Sequence, residues 1–166
     1  MNYCSLSKRI IYEDYVYYNL LELCETDIKF INIIKSSYLT LMKELTETSD
    51  ISDELFISNL RKINEYGIIY VCVKGDYSDF EIIGSGTLIV EPKIIRGGKP
   101  VGHIEDIVVK KKYRGNKISF FILDLLKKTA SDIGCYKVIL DCTENLCHVY
   151  ELNNFQKKGV QMAIYF

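Results

Sequence analysis

From residue 27 onward, apolar positions recur first at helical and then at strand spacing. Phe30, Ile33, Ile34, Leu39, Leu41, Met42 and Leu45 fall at helical spacing and predict a helix between Asp27 and Glu47. Thr46 to Asp53 is polar and loop-like, and Ser52 can cap a second helix over about 53–65 with Leu55, Phe56, Leu60 and Ile63 inward. Gly67 ends that helix, as glycine does past a helix C-terminus. The period then drops to that of strands. Ile68–Val73 is a strand, Gly75-Asp76 a turn, and Phe80–Glu91 a longer strand in which Gly84 and Gly86 permit a bend or a close approach. Pro92–Pro100 is a loop and Gly102–Val109 a third strand. Gly115 opens a helix to about Asp132, with Phe121, Ile122, Leu125 and Leu126 inward and Gly134 at its end. Tyr136–Asp141 is a buried strand, 145–153 a short helix, and Val160–Phe166 a last strand. Residues 1–26 are expected to form a tyrosine-rich N-terminal extension with a helix around 13–24, and residues 27–166 the domain. Helices, an antiparallel meander and then strand-helix-strand-helix-strand make an α+β protein: a mixed, mostly antiparallel sheet flanked by helices.

A length of 166 residues with 48% hydrophobic positions suits one domain with a real core. The net charge of −1 gives no global field toward nucleic acid or an anionic membrane. Any phosphate site must come from local geometry. The six cysteines, Cys4, Cys24, Cys72, Cys135, Cys142 and Cys147, contain no C-x-x-C pair. The start of the chain lacks a secretory pattern, so reduced thiols and a cytoplasmic setting are expected. No stretch approaches the ~20 apolar residues of a membrane span.

The strongest local chemistry lies where His103-Ile104-Glu105-Asp106-Ile107-Val108-Val109 runs through Lys110-Lys111-Lys112-Tyr113 into Arg114-Gly115-Asn116-Lys117-Ile118-Ser119. This is strand, basic turn and helix start. The first amides of a helix have no intrahelical partner and, with the helix dipole, form an anion site. Gly115 lets the backbone approach a phosphate, and Lys117 or Arg114 can add charge. The alternative for the same residues is a solvated basic turn.

This segment resembles the coenzyme loop of the GNAT acetyltransferase superfamily, Q/R-x-x-G-x-G/A. Further blocks resemble its glucosamine 6-phosphate N-acetyltransferase family: Leu45-Thr46, Gly86 to Ile95, Gly102 to Val109, Lys112 to Gly115, Gly134 to Cys142, and Gly159 to Met162. They occur in family order over roughly 28–166. The resemblance implies the GNAT acyl-CoA N-acyltransferase fold, acetyl-CoA as acyl donor without a metal, and acetylation of the amine of glucosamine 6-phosphate for amino-sugar nucleotide synthesis. A homodimer is also implied. The backbone of Ile107, Val108 and Val109 would pair with the pantetheine arm, and Arg114, Gly115, Asn116, Lys117, Ile118, Ser119 and Phe120 would hold the pyrophosphate. Tyr150 would be the general acid near the coenzyme sulfur, with Glu105 and Asp141 as carboxylates serving the amine. Thr46, Lys93, Ile94, Ile95, Arg96, Glu105, Asp106, Ile107, Tyr136, Lys137, Asp141 and Tyr165 would surround the sugar phosphate.

The chain departs from the family at several places. Lys117 and Ser119 stand where glycine or alanine is usual, Leu146 replaces an asparagine, Asn154 replaces a turn glycine, and Tyr165 replaces a phosphate-binding arginine. Two alternatives stay open: a GNAT enzyme for another amine, and a non-catalytic acyl-CoA-binding protein. Other constellations are weaker. Cys142, Cys147 and His148 lack a second ligand pair for a metal. No local signature supports a His103–Cys142 nucleophile. The lysines at 110–112 are too few for nucleic-acid binding.

Overall fold

The structure is a computed structural model that describes residues 9–26, 28–75 and 78–165. Asp27, Asp76 and Phe166, which the patterning placed at a helix start, in a turn and in a last strand, lie outside the described residues. Among the described residues, six strands form one sheet in chain order: β1 Ile10–Tyr12, β2 Tyr15–Asn19, β3 Gly67–Lys74, β4 Glu81–Glu91, β5 Val101–Val109 and β6 Lys137–Leu140. Every neighbouring pair is antiparallel except β5 and β6, which run parallel. The mixed, mostly antiparallel α+β sheet is therefore as expected.

Strand alternation distributes the core over both faces. Val71, Val73 and Ile82 join a cluster with α1 Leu20–Thr26, α2 Ile31–Met42 and α3 Asp53–Tyr66. Cys72, Ile83, Leu88 and Ile104 point the other way, onto Ile118, Ile122, Leu123, Leu126 and Ala130 of α4 Ile118–Ile133. Each such fully buried Ile or Leu contributes roughly 1.5–3 kcal/mol. A short helix, α5 Cys147–Glu151, follows β6.

Four expectations are corrected. The helix around 13–24 is instead β2 followed by α1. Tyr15, Val16, Tyr17 and Tyr18 suit a pleated surface, and β2 pairs with β3 from Val16↔Val73 to Asn19↔Tyr70. Helix α2 stops at Met42 and turns Ile34, Tyr38 and Leu41 inward, leaving Ile33 and Leu45 exposed. Strand β6 is an edge strand with exposed positions, not a buried one. Residues 160–165 form no strand, and Val160, Met162 and Ile164 are 91%, 93% and 76% exposed. The last two share one cause: among the described residues, nothing pairs with the outer edge of β6.

Ser52 caps α3 as expected, accepting from the Leu55 amide at 3.2 Å. Gly134 ends α4 in the left-handed region (φ 91°), with the Cys135 amide donating to the Ala130 carbonyl. Gly67 has a different reason to be glycine. Its backbone is extended, but a Cβ there would lie 1.9 Å from the Leu88 carbonyl oxygen of β4. Gly67→Ala is expected to destabilise the protein by at least about 2 kcal/mol, since backbone rather than a movable side chain must yield. Urea unfolding checks this, and a loss under about 0.5 kcal/mol would contradict it.

Candidate active site

The site begins where two strands part. Strands β5 and β6 pair from Val101↔Lys137 to Ile104↔Leu140 and no further. On its other side β5 stays paired with β4 as far as Gly84↔Val109. The register there shifts between Ser85↔Val108 and Thr87↔Glu105, so Asp106 and Ile107 face the single residue Gly86. This is a β-bulge, with Asp106 in the left-handed conformation (φ 52°) that aspartate tolerates better than most residues. Gly86 is small for a reason: a Cβ would lie 2.5 Å from Ile107 Cδ1 and 2.7 Å from Ile122 Cγ2. From Glu105 to Val109 the backbone edge facing β6 thus has no strand partner among the described residues, the Val109 carbonyl being taken by Arg114. It offers amides and carbonyls to an extended ligand.

At the end of β5 the chain enters a 3-10 turn, Lys111–Tyr113, and then the loop before α4. Glu81 at the start of β4 anchors this turn. It accepts from Lys110, from Lys112 at 3.0 Å and from the Tyr113 hydroxyl at 2.9 Å. Burial alone would raise the Glu81 carboxyl, but those hydrogen bonds outweigh it and hold the pKa at about 2. Glu44, just past α2, accepts from the Lys111 amide at 2.7 Å and from the Arg114 guanidinium at 3.3 Å. Arg114 Nε also donates to the Val109 carbonyl at 3.0 Å. Arg114 is therefore a brace between α2, β5 and the loop.

Gly115 (φ 85°) and Lys117 (φ 57°) are both left-handed, and Lys117 is the N-cap of α4. The first intrahelical bond of α4 runs from the Phe121 amide to the Lys117 carbonyl at 3.1 Å. The amides of Ile118, Ser119 and Phe120 precede it and have no partner within the helix. The exposed Asn116 donates to the Tyr113 carbonyl at 3.0 Å, which shapes the loop. Together these features make an anion site at the end of the open β5 edge.

On the β6 side, Lys137, Asp141 and Tyr150 line one groove of about 950 Å³ with residues 153–161. Glu105 lies close enough to feel Asp106 and Asp141; partial burial, then those two charges, raise its pKa. Tyr150 is half-buried on α5, set edge-on to Phe155 at 6.1 Å. Burial first, and the nearby Cys142 second, raise the Tyr150 pKa, which keeps the phenol protonated at neutral pH. A carboxylate and a protonated phenol on one groove, Asp141 and Tyr150, can take a proton from one reactant and give one to a leaving group.

The Pro92–Pro100 loop presents its own cluster. Glu91 is paired with Lys93 and with His103 Nε2 at 2.9 Å, and these two lower the Glu91 pKa. Arg96 (φ 60°) stacks over the Tyr136 ring at 5.8 Å, with Lys137 at 5.7 Å from the same ring. So Arg96, Tyr136 and Lys137 come together, as do Glu105, Asp106 and Asp141. Ile94 and Ile95 are exposed, and Tyr165 is 93% exposed on the unpaired C-terminal segment. Thr46 lies just past α2, two residues beyond Glu44. Sequence patterning missed Glu81 and Glu44, because each reaches its partners across 29 to 70 residues and carries no local signal.

The architecture and the strand-loop-helix site define an acyltransferase fold, and comparison with known proteins agrees. The chain belongs to the Acetyltransferase (GNAT) family, whose model matches residues 32–155. It is similar to glucosamine 6-phosphate N-acetyltransferase 1 of Dictyostelium discoideum, with 42% identity over 129 residues, 77% of this chain and 82% of that one. The crystal structure of glucosamine-6-phosphate N-acetyltransferase from Arabidopsis thaliana superposes with a TM-score of 0.80 at 28% identity, covering 93% of this chain and 99% of that one. That of a Trypanosoma brucei acetyltransferase superposes at 0.72 and 34% identity, covering 80% and 92%.

The Glu81 anchor makes a pH prediction. A carboxyl at about 2 when folded and about 4.3 when unfolded stabilises the protein above pH 5 and loses that contribution as pH falls toward 2. Glu81→Gln is expected to cost on the order of 1–2 kcal/mol at pH 7, with the gap from the parent closing toward pH 2. Urea unfolding at both pH values measures it; a gap independent of pH would rule out the carboxylate as the anchor.

Proposed function

We propose that the chain transfers acetyl from acetyl-CoA to the amine of glucosamine 6-phosphate. The product, N-acetylglucosamine 6-phosphate, would feed amino-sugar nucleotide synthesis. The observation that carries this reading is the open β5 edge leading into a helix-start anion site, in a chain whose relatives carry that enzyme name.

The backbone of Ile107 to Val109 holds the pantetheine arm as an added strand, and a β5 amide polarises the thioester carbonyl. The amides from Gly115 to Phe120, with the Lys117 ammonium, hold the pyrophosphate; Arg114 keeps the loop in shape. Lys93 to Arg96, Tyr136 and Lys137 hold the sugar phosphate, with Thr46, Asp106 and Tyr165 completing the enclosure. Glu105 and Asp141 orient the sugar ammonium and remove its proton, a task to which the raised Glu105 pKa is suited. The amine attacks the carbonyl directly, and the Tyr150 phenol protonates the departing thiolate. Such chemistry fits a cytoplasmic protein with reduced cysteines.

We also propose a homodimer in which C-terminal segments cover the edges beside β6. Val160, Met162 and Ile164 alternate along an exposed segment, and the β6 edge is open.

Free thiol should appear when the protein, acetyl-CoA and glucosamine 6-phosphate are combined. Release with other amines but not this sugar would redirect the assignment to another acceptor, and tight acetyl-CoA binding without turnover on any amine would make the chain a non-catalytic binder. Tyr150→Phe is expected to lower kcat roughly 100-fold with the acetyl-CoA Kd little changed; an unchanged kcat removes Tyr150 from the mechanism. Sedimentation should give a mass of two chains, and Ile164→Asp should shift it toward one. A one-chain mass for the parent protein sinks the dimer.

A further inference from the structure

Two cysteines stand beside the proposed general acid without a part in the reaction above. Cys142 follows Asp141 at the end of β6, and Cys147 opens α5, the helix that carries Tyr150. Their Sγ atoms are 3.9 Å apart. Both line the groove that holds Asp141 and Tyr150, Cys142 exposed and Cys147 half-buried. The turn between them brings them together: the Leu146 amide donates to the Thr143 carbonyl at 2.9 Å, and Cys147 Sγ approaches the same carbonyl at 3.9 Å. A disulfide needs a sulfur separation of about 2.05 Å. The sulfurs must therefore close by roughly 2 Å, within reach of side-chain rotation and a small shift of the first turn of α5. Cys24 and Cys72, by contrast, are buried in the core, where burial pushes both thiols up to about 12.

We propose that Cys142 and Cys147 form a thiol–disulfide exchange site that takes a low-molecular-weight disulfide, such as glutathione disulfide, and closes into an intramolecular bridge that slows turnover. One cysteine thiolate attacks a sulfur of the small disulfide, breaking its S–S bond and releasing one thiolate. The second cysteine, as thiolate, then attacks the mixed disulfide; the Cys142–Cys147 bond forms and a second thiolate leaves. The two cysteines lose two electrons, the small disulfide gains them, and the two cysteine protons end on the two released thiols. Lys157 favours a thiolate at Cys142, whereas desolvation, the neighbouring thiol and Asp141 push its pKa up and keep the resting thiol protonated.

The bridge acts through position. Tyr150 lies three residues past Cys147 in a helix of only five residues. Drawing Cys147 toward Cys142 moves the first turn of α5, and with it the phenol. A displacement of about 1 Å at a reacting group can cost up to about 100-fold in rate. The effect on turnover rests on the role proposed for Tyr150; the bridge itself does not.

Tryptic peptide 138–157 contains both cysteines and no other. After treatment of the full chain with glutathione disulfide, this peptide should weigh about 2 Da less than its reduced form, reversibly with dithiothreitol. In parallel, kcat should fall about ten-fold or more and recover on reduction. Cys147→Ser should form no bridge and keep its turnover under the same treatment, and Cys142→Ser should likewise form none. Absence of the lighter peptide, or stable glutathione adducts on both cysteines, overturns the exchange site even if the acetyl acceptor is another amine. A bridged protein with unchanged kcat overturns its control of turnover.

Discussion

Across β4 and β5, Gly86 faces Asp106 and Ile107 where regular pairing would set one residue against one. The rest of the site depends on that mismatch. A bulge bends its strand and increases the local twist. Beyond it β5 stays with β4 and leaves β6, whose pairing ends at Leu140. The parting opens a row of backbone groups on one strand and brings Glu105, at the end of the paired region, under the influence of Asp141 just past β6. It also carries a condition on packing. Ile122 of α4 sits so close that a side chain at 86 would displace it, so the helix bearing the anion site and the bulged strand are seated on each other at one glycine.

The anion site is held from two directions by carboxylates that are not part of it. Glu81 gathers Lys110, Lys112 and Tyr113 from below the turn, and Glu44 gathers the Lys111 amide and Arg114 from α2. A loop rich in lysine would otherwise repel itself and any neighbouring cation. Glu81 offsets part of the positive charge of the turn, and the exposed Lys117 adds a cation at the helix start. Glu44 has a second consequence. Its position two residues before Thr46 ties the loop before α4 to the segment proposed to meet the sugar, so the two proposed substrate sites would share one structural brace.

Much of this was legible in the sequence where periodicity or a local motif carries the information. The switch from helical to strand spacing at Gly67, the Ser52 cap and the loop from Arg114 into α4 all have local causes. Other features do not. Val16 to Asn19 form a strand only because β3 is there to pair with them. Tyr38 turns inward beside Leu39 because α2 must lie on the sheet and on Phe56 of α3. The bulge at Asp106 cannot be seen from β5 alone, since a bulge is a relation between two strands. The unpaired segment at 160–165 has the alternation of a strand, yet alternation names no partner, and none lies beside it within the described residues.

The departures from the family motif are best understood as conformations rather than identities. At position 117 the backbone is left-handed, the condition that makes glycine usual there; lysine accepts it at a cost of roughly 1–2 kcal/mol. At position 154 asparagine meets the same condition at φ 67° with less strain, as the residue that most readily joins glycine in that region. Both substitutions therefore keep the chain path while changing what projects from it. At 117 the added side chain is an exposed cation beside the helix-start amides, so strain in the loop is offset by charge in the place where an anionic ligand would lie. The lysine that stands where the motif has glycine or alanine is thus one whose chemistry agrees with the anion-binding task proposed for the loop.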